Sequence, residues 1–403
     1  MTLVSEILNG LEGLHKPQRK FLQVLFSSML VVHSAINFLS LSRHSRLSER
    51  TFRRQFRKQF DFPTFNRHIA ARAACQNPVS VALDSSFIKK SGKQTCGLDK
   101  FWNGTAQRAE KGLELSLLAL IDCKEKRAFA LSAEQTPAGL ATSEKAVRQT
   151  RLDFYLSHFQ STRAMLPASV RYVLVDGFYS KQKFVSGVCE SGYEIVSRLR
   201  ADANLRFLYQ GRPASGRGRP RKYDGKVDLA DLSRFIGVKS DDTRFSLYTQ
   251  RLWAVTLKRE IQVLVMVPAP DRKSKRRPIL LFTTDLELAP PEILRLYRSR
   301  FQIEFLFREA KQSAGLETCQ ARDAQALRFH WNASLASVNL ARLKAFEEKT
   351  AAQRLGFSMK SVKQQMYNEH VLELFISKLG LDPTLIKKHE AYEKLRYYAV
   401  ISP

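Results

Sequence analysis

Between Leu296 and Gln312 the chain reads LYRSRFQIEFLFREAKQ, placing Tyr297, Arg300, Glu304 and Lys311 at intervals of three, four and seven. On a helix of 3.6 residues per turn these steps return to one face, so a tyrosine, an arginine, a carboxylate and an ammonium form one polar stripe, with Arg308 on it as well. Phe301, Phe305 and Leu294 border the stripe on one side and Leu296, Ile303 and Phe307 on the other. A solvated ion-pair face would sit opposite the apolar face; a polar stripe between two apolar margins describes a lined site, in which a carboxylate must be paired, hydrogen-bonded or metal-bound. Two further acids, Asp84 and Asp176, each follow a short apolar run, VSVAL and VRYVLV. Three carboxylates in a basic chain suit Mg2+ or Mn2+. Two such ions per site can activate a water and stabilise a leaving 3′ oxygen in an in-line displacement at phosphorus.

The elements that must position these residues follow from local pattern. Pro290 and Pro291 suit the first turn of the motif helix and Gly315 its C-terminal cap. The runs 79–84, 113–121, 128–131, 170–177, 194–199 and 278–284 predict strands, with helices over 143–165 and 184–189. Strand, helix and strand in alternation predict an α/β fold with a partly parallel sheet, whose chemistry gathers at strand ends. Residues 203–276 interrupt it as a β-rich insertion, with a hairpin over 245–267 that carries Trp253 and a basic loop containing Arg217-Gly218-Arg219-Pro220. An extended Arg-Gly-Arg fits a narrow minor groove, though a solvated loop has the same composition. Trp253 is open to two readings, stacking on a base or packing across the hairpin.

Residues 1–75 read as helices, and within them 36–41, a polar turn and 48–58 have a helix-turn-helix layout. Ser48 caps the second helix, Phe52 and Phe56 turn inward, and Arg50, Arg53, Arg54, Arg57 and Lys58 turn outward. A basic surface helix has the same pattern. The division expected is a helical DNA-binding region at 1–75, catalytic core at 76–202 and 277–346 around the insertion, and a helical tail at 347–403.

The formal net charge of +28 over 403 residues points to a polyanionic partner, double-stranded DNA first. The five cysteines, Cys75, Cys96, Cys123, Cys189 and Cys319, are too scattered for a zinc knuckle and fit a reducing cytoplasm. The apolar stretch 21–41 is broken by Ser27, Ser28, His33, Ser34 and Asn37, which favours a buried helix over a membrane span, and no signal peptide is expected.

The spacing Y-x2-R-x3-E-x6-K resembles the signature of the DDE transposases of IS4-type bacterial insertion sequences. So do Asp176-Gly177-Phe178-Tyr179 and Asp84-Ser85-Ser86-Phe87, the latter followed by Lys93 and Phe101-Trp102. The resemblance covers roughly residues 78–346. It implies a ribonuclease H-like fold, with Asp84, Asp176 and Glu304 as a metal-binding catalytic triad and Tyr297, Arg300 and Lys311 on the phosphates of the transposon end. It also implies a homodimer with paired ends, and cut-and-paste chemistry through hairpin ends. Some relatives place a base-stacking tryptophan before the last strand; here that place falls near Pro278 and Ile279.

Overall fold

The computed structural model describes residues 2–73, 79–141, 149–211, 220–240, 242–269, 277–348 and 357–401. Five helices come first: α1 (Thr2–Asn9), α2 (Lys16–Val31), α3 (Phe38–Arg43), α4 (Glu49–Gln55) and α5 (Phe62–Arg72). The stretch 21–41, expected as one helix, is split because Asn37 and Ser40 form a reciprocal capping box that starts α3 afresh. Ser48 caps α4 by accepting from the Thr51 amide, as its type and position predict. Phe52 and Phe56 are fully buried, and their rings meet Phe21, Phe38 and Phe329 with centroids 4.7 to 6.5 Å apart. That aromatic cluster bolts the N-terminal helices to the long buried helix α10 (Ala324–Glu348), so one hydrophobic core runs from α1 into the sheet.

The strands are β1 (Val79–Ile88), β2 (Asp99–Asn103), β3 (Arg108–Asp122), β4 (Arg127–Gln135), β5 (Tyr172–Leu174), β6 (Glu194–Leu199), β7 (Leu205–Leu208), β8 (Tyr223–Lys226), β9 (Ile236–Val238), β10 (Phe245–Ala254), β11 (Arg259–Pro268) and β12 (Ile279–Thr283). They form one 12-stranded mixed sheet in the order β2-β3-β1-β5-β6-β12-β11-β10-β7-β8, with β4 on β3 and β9 on β10. β1, β5 and β6 are parallel to one another and every other pairing is antiparallel. The insertion does not form a separate sheet. Its hairpin, β10 and β11, joins the core because β11 pairs with β12 and β12 with β6.

Helices cover both faces. α6 (Arg151–Thr162) and α7 (Gln182–Glu190) lie on the face that carries Ser85 and Ser116. α8 (Pro290–Arg300) and α9 (Gln302–Ser313) lie on the face that carries Asp84. α6 starts at Arg151, later than the helix expected from 143, because Thr150 and Asp153 form a capping box there; 142–148 lie outside the described residues.

At the β4 edge, helix side chains replace a strand. Asn339 accepts from the Ala130 amide at 2.9 Å and donates to its carbonyl at 2.8 Å, and Asn332 does the same for Ala133 at 3.1 and 2.8 Å. Seven residues apart on α10, the two amides share a face and satisfy backbone groups that no neighbouring strand reaches. The remaining helices, α11 (Met359–Lys378), α12 (Pro383–Lys388) and α13 (Glu390–Arg396), close the chain, with α11 against α2 and α10. Among the described residues, no helix is long and apolar enough to cross a membrane.

Candidate active site

β1 continues four residues past Asp84, so this acid lies inside a strand and not at its end as expected. What ends nearby is its parallel neighbour: the β1–β5 register pairs Ala82 with Leu174, and β5 stops there. Two residues on in each chain stand Asp84 and Asp176, so the two carboxylates leave adjacent strands side by side where the sheet opens between them. The Asp84 carboxylate accepts from the Ser85 amide at 2.8 Å. Asp176 caps the short 3-10 turn Gly177–Tyr179, accepting from the Phe178 amide at 2.9 Å, and Ser197 on β6 donates to its carbonyl.

The motif helix delivers the third acid, but not as one helix. It breaks at Phe301 into α8 and α9. No glycine or proline is present; instead the Ser299 hydroxyl donates to the Arg295 carbonyl at 2.9 Å, four residues back, a bond that bends helices. Arg300 and Glu304 still meet across the bend at 2.7 Å, and the other arm of the Arg300 guanidinium lies 3.5 Å from Asp84. Arg300 is therefore a buried bridge between two of the acids, its ring neighbours being Tyr297 at 5.8 Å and Phe301 at 4.6 Å. The apolar margins divide as well: Leu296, Ile303 and Phe307 are buried, whereas Phe301 and Phe305 are each 40% exposed.

Electrostatics show how crowded the acids are. Burial first, and Asp176 next, push the Asp84 carboxyl up to about 7 against the pull of Arg300. Burial also raises Asp176. The Tyr179 hydroxyl is buried without a hydrogen-bond partner beside both aspartates, and burial pushes it well above the ordinary phenol value. The Arg300 Nε is likewise unpartnered. Three carboxylates against one guanidinium leave a site short of positive charge, and an all-oxygen donor set is the one that hard divalent cations take. Among the described residues no three such side chains already stand as a metal cluster, since Glu304 is drawn to Arg300 and remains half exposed. The donor set fits a cation in chemistry; the third carboxylate must turn from Arg300 to join it.

The other expected residues separate. Lys311 donates to the Phe87 carbonyl at 2.7 Å and lies 3.1 Å from Glu317, tying α9 to the end of β1. Arg308 is exposed, its guanidinium over the Phe305 ring at 4.7 Å. Arg50 and Arg54 are exposed on α4, Arg53 pairs with Glu49, and Arg57 lies 3.4 Å from Asp323. Trp253 lies on β10, five strands from β1 and so roughly 24 Å from the acids at about 4.8 Å per strand. It is half-buried, with the Tyr223 ring 5.7 Å away, which favours cross-strand packing. Arg217 and Arg219 lie outside the described residues. Tyr179 and Ser197 were not predicted as site residues; Tyr179 stands in the quoted Asp176 segment, but nothing local marks its ring as turned toward Asp84.

A family profile described as the transposase DDE domain matches residues 77–340, most of the chain and every strand of the sheet. The chain belongs to that family. No curated relative matches it. The matched span contains Asp84, Asp176 and Glu304 and the whole α8–α9 bend, whereas the helices α1–α5 and α11–α13 lie outside it. Membership makes this a transposase-type enzyme, a family whose partner is DNA, and the mixed α/β sheet fits that fold.

Proposed function

We propose that the chain is an IS4-type insertion-sequence transposase that binds terminal inverted repeats and cuts and transfers DNA strands with divalent-metal help. The observation that carries this reading is the convergence of Asp84 and Asp176 from adjacent parallel strands with the Arg300–Glu304 pair facing them. The order β4-β3-β1-β5-β6, antiparallel over its first three strands and parallel over the rest, supports a ribonuclease H-like core. Residues 1–75 act as the DNA-binding region, 76–202 and 277–346 as the catalytic core, 203–276 as the insertion and 347–403 as a tail.

Asp84, Asp176 and Glu304 would hold Mg2+ or Mn2+, two ions per site. Bound there, such ions supply charge neutralisation and a water of lowered pKa. The protein's own part is positional. β1 and β5 fix two carboxylates in register, and the bend at Phe301 places the third on the same side. Arg300, released from Glu304, would contact a phosphate oxygen, with the Tyr297 ring centroid 5.8 Å from its guanidinium carbon. Lys311 fixes the far end of α9, and Lys311 and Tyr297 complete a cationic and hydrogen-bonding wall for the phosphates of the transposon end. The active unit is a homodimer on paired ends, working in the bacterial cytoplasm at the nucleoid, with hairpin ends as intermediates.

The test is cleavage of linear duplex carrying the element's terminal repeats, in Mg2+ or in EDTA, by wild type and Asp176→Asn. Cuts at the element boundary that need metal and vanish in the variant are expected, and product size reports hairpins. Specific binding to the repeats with no cutting in any metal would overturn the enzymatic reading in favour of a DNA-binding protein.

A further inference from the structure

A cleft of about 990 Å3 opens at the end of β1 away from the acids. Its walls are the end of α4, the β1–β2 connection from Lys90 to Cys96, and the α9–α10 connection from Cys319 to Asp323. The last two walls are pinned together: the Cys96 amide donates to the Arg322 carbonyl at 2.9 Å, and the Lys90 ammonium donates to the Cys319 carbonyl. The cleft is therefore a built feature and not a gap between mobile loops.

Its charge is lopsided. Arg53, Arg57, Lys90 and Arg322 line it against Asp323 as the single acid of the lining. Asp323 accepts from the Ala326 amide at 2.9 Å and lies 3.4 Å from Arg57, with both side chains of that ion pair well exposed, a pair worth little in water. Lys90 is half-buried, with Arg322 close by; burial first, and Arg322 as a further cause, hold its ammonium below the ordinary value despite Cys319. A half-buried cation held on a neutral carbonyl beside a second cation favours an anion. Gln94, Gln320 and Ser91 add neutral hydrogen-bonding groups and no carboxylate.

Position narrows the anion. Lys90 follows Asp84 by six residues, four of them in β1, a reach of at most about 20 Å at 3.3 Å per residue. That length matches about six nucleotides of one strand of duplex at 3.4 Å each. On the far side of the cleft stands α4 with its outward arginines. We propose that the cleft holds the phosphodiester backbone of one strand of the duplex about six nucleotides from the scissile bond, with Lys90 and Arg322 as its contacts. The proposal rests on the transposase reading.

Cys96 makes the test direct, because it is exposed and lines the cleft, while Cys189 on α7 lies elsewhere. The full chain in EDTA is treated with N-ethylmaleimide, alone or saturated with terminal-repeat duplex, and alkylation is followed at each cysteine by peptide mass mapping. At least tenfold slower reaction at Cys96, with Cys189 unchanged, is expected. The double variant Lys90→Gln, Arg322→Gln should also lower the slope of log binding constant against log salt by about two units, at about 0.9 per lost phosphate contact. Duplex bound with Cys96 unprotected and the slope unchanged would overturn the cleft assignment alone and leave the transposase standing. Equal protection by tripolyphosphate at the same phosphate concentration would overturn a DNA strand in favour of a free phosphate site. Failure to bind any duplex would overturn both readings.

Discussion

At the scale of single residues, Arg300 decides how the site behaves. It is the one described cation in contact with two of the three acids, and its 2.7 Å contact with Glu304 is an intrahelical i,i+4 pair preserved across a bend. The pair was readable from spacing because three and four residues return to one face whether or not the helix is straight. Its partnership with Asp84 was not readable, since 216 residues separate them and only the tertiary fold joins them. Trp253 is a related case: residue type leaves base stacking and cross-strand packing both open, and strand order, which local pattern does not encode, sets it five strands from β1. Glu304→Gln keeps the side chain's size and its bond to Arg300 while removing the charge that the proposed metal site needs. It is expected to reduce strand cleavage at least a hundredfold with repeat binding unchanged within about twofold, measured by product formation and gel shift; equal loss of both would make Glu304 a structural residue.

At the scale of elements, the strands that present acids were legible because an apolar run ending in a carboxylate is a local signal. Their lengths were not: β1 runs past Asp84 because β3 keeps pairing with it to Ile88. The β4 edge was invisible, as its partner is a pair of asparagines in an otherwise apolar helix about 200 residues on. Asn339→Ala strips partners from the Ala130 amide and carbonyl and from Asn66, and should destabilise the fold by about 2–3 kcal/mol in urea unfolding, the cost of orphaned buried polar groups. A loss under about 0.5 kcal/mol would mean that the edge relaxes to other partners.

His158 on α6 gives a second test at this scale. It is buried between Ser116 at 2.9 Å and Ser132 at 3.0 Å, and burial pushes its imidazole down to about 3. Between the ordinary histidine value of 6.5 and about 3, the unfolded chain binds the extra proton and the native chain does not. Stability from this group is thus complete above about pH 6.5 and is lost as pH falls through that window. The melting temperature should rise with pH from 3 to 6.5, and His158→Gln should flatten that rise; an unchanged profile would assign the acid lability to other groups.

For the whole molecule, the excess of basic residues predicts binding that weakens steeply with salt. Alanine at Arg217 and Arg219 should lower the salt slope by about one unit per lost phosphate contact, read by fluorescence anisotropy on terminal-repeat duplex between 50 and 300 mM salt. An unchanged slope would make that loop a bystander.

The joining of β12 to both β6 and β11 also sets a direction in space. Adjacent strands rotate by roughly 20–25°, so over the five steps from β1 to β10 a given face of the sheet swings through about 100–125°, slightly more than a right angle. The outer strands therefore look sideways from the carboxylates, like the next wall of a room. A straight duplex lying along one wall cannot also lie along the other, so DNA that touches both must bend at the corner or arrive as two separate segments.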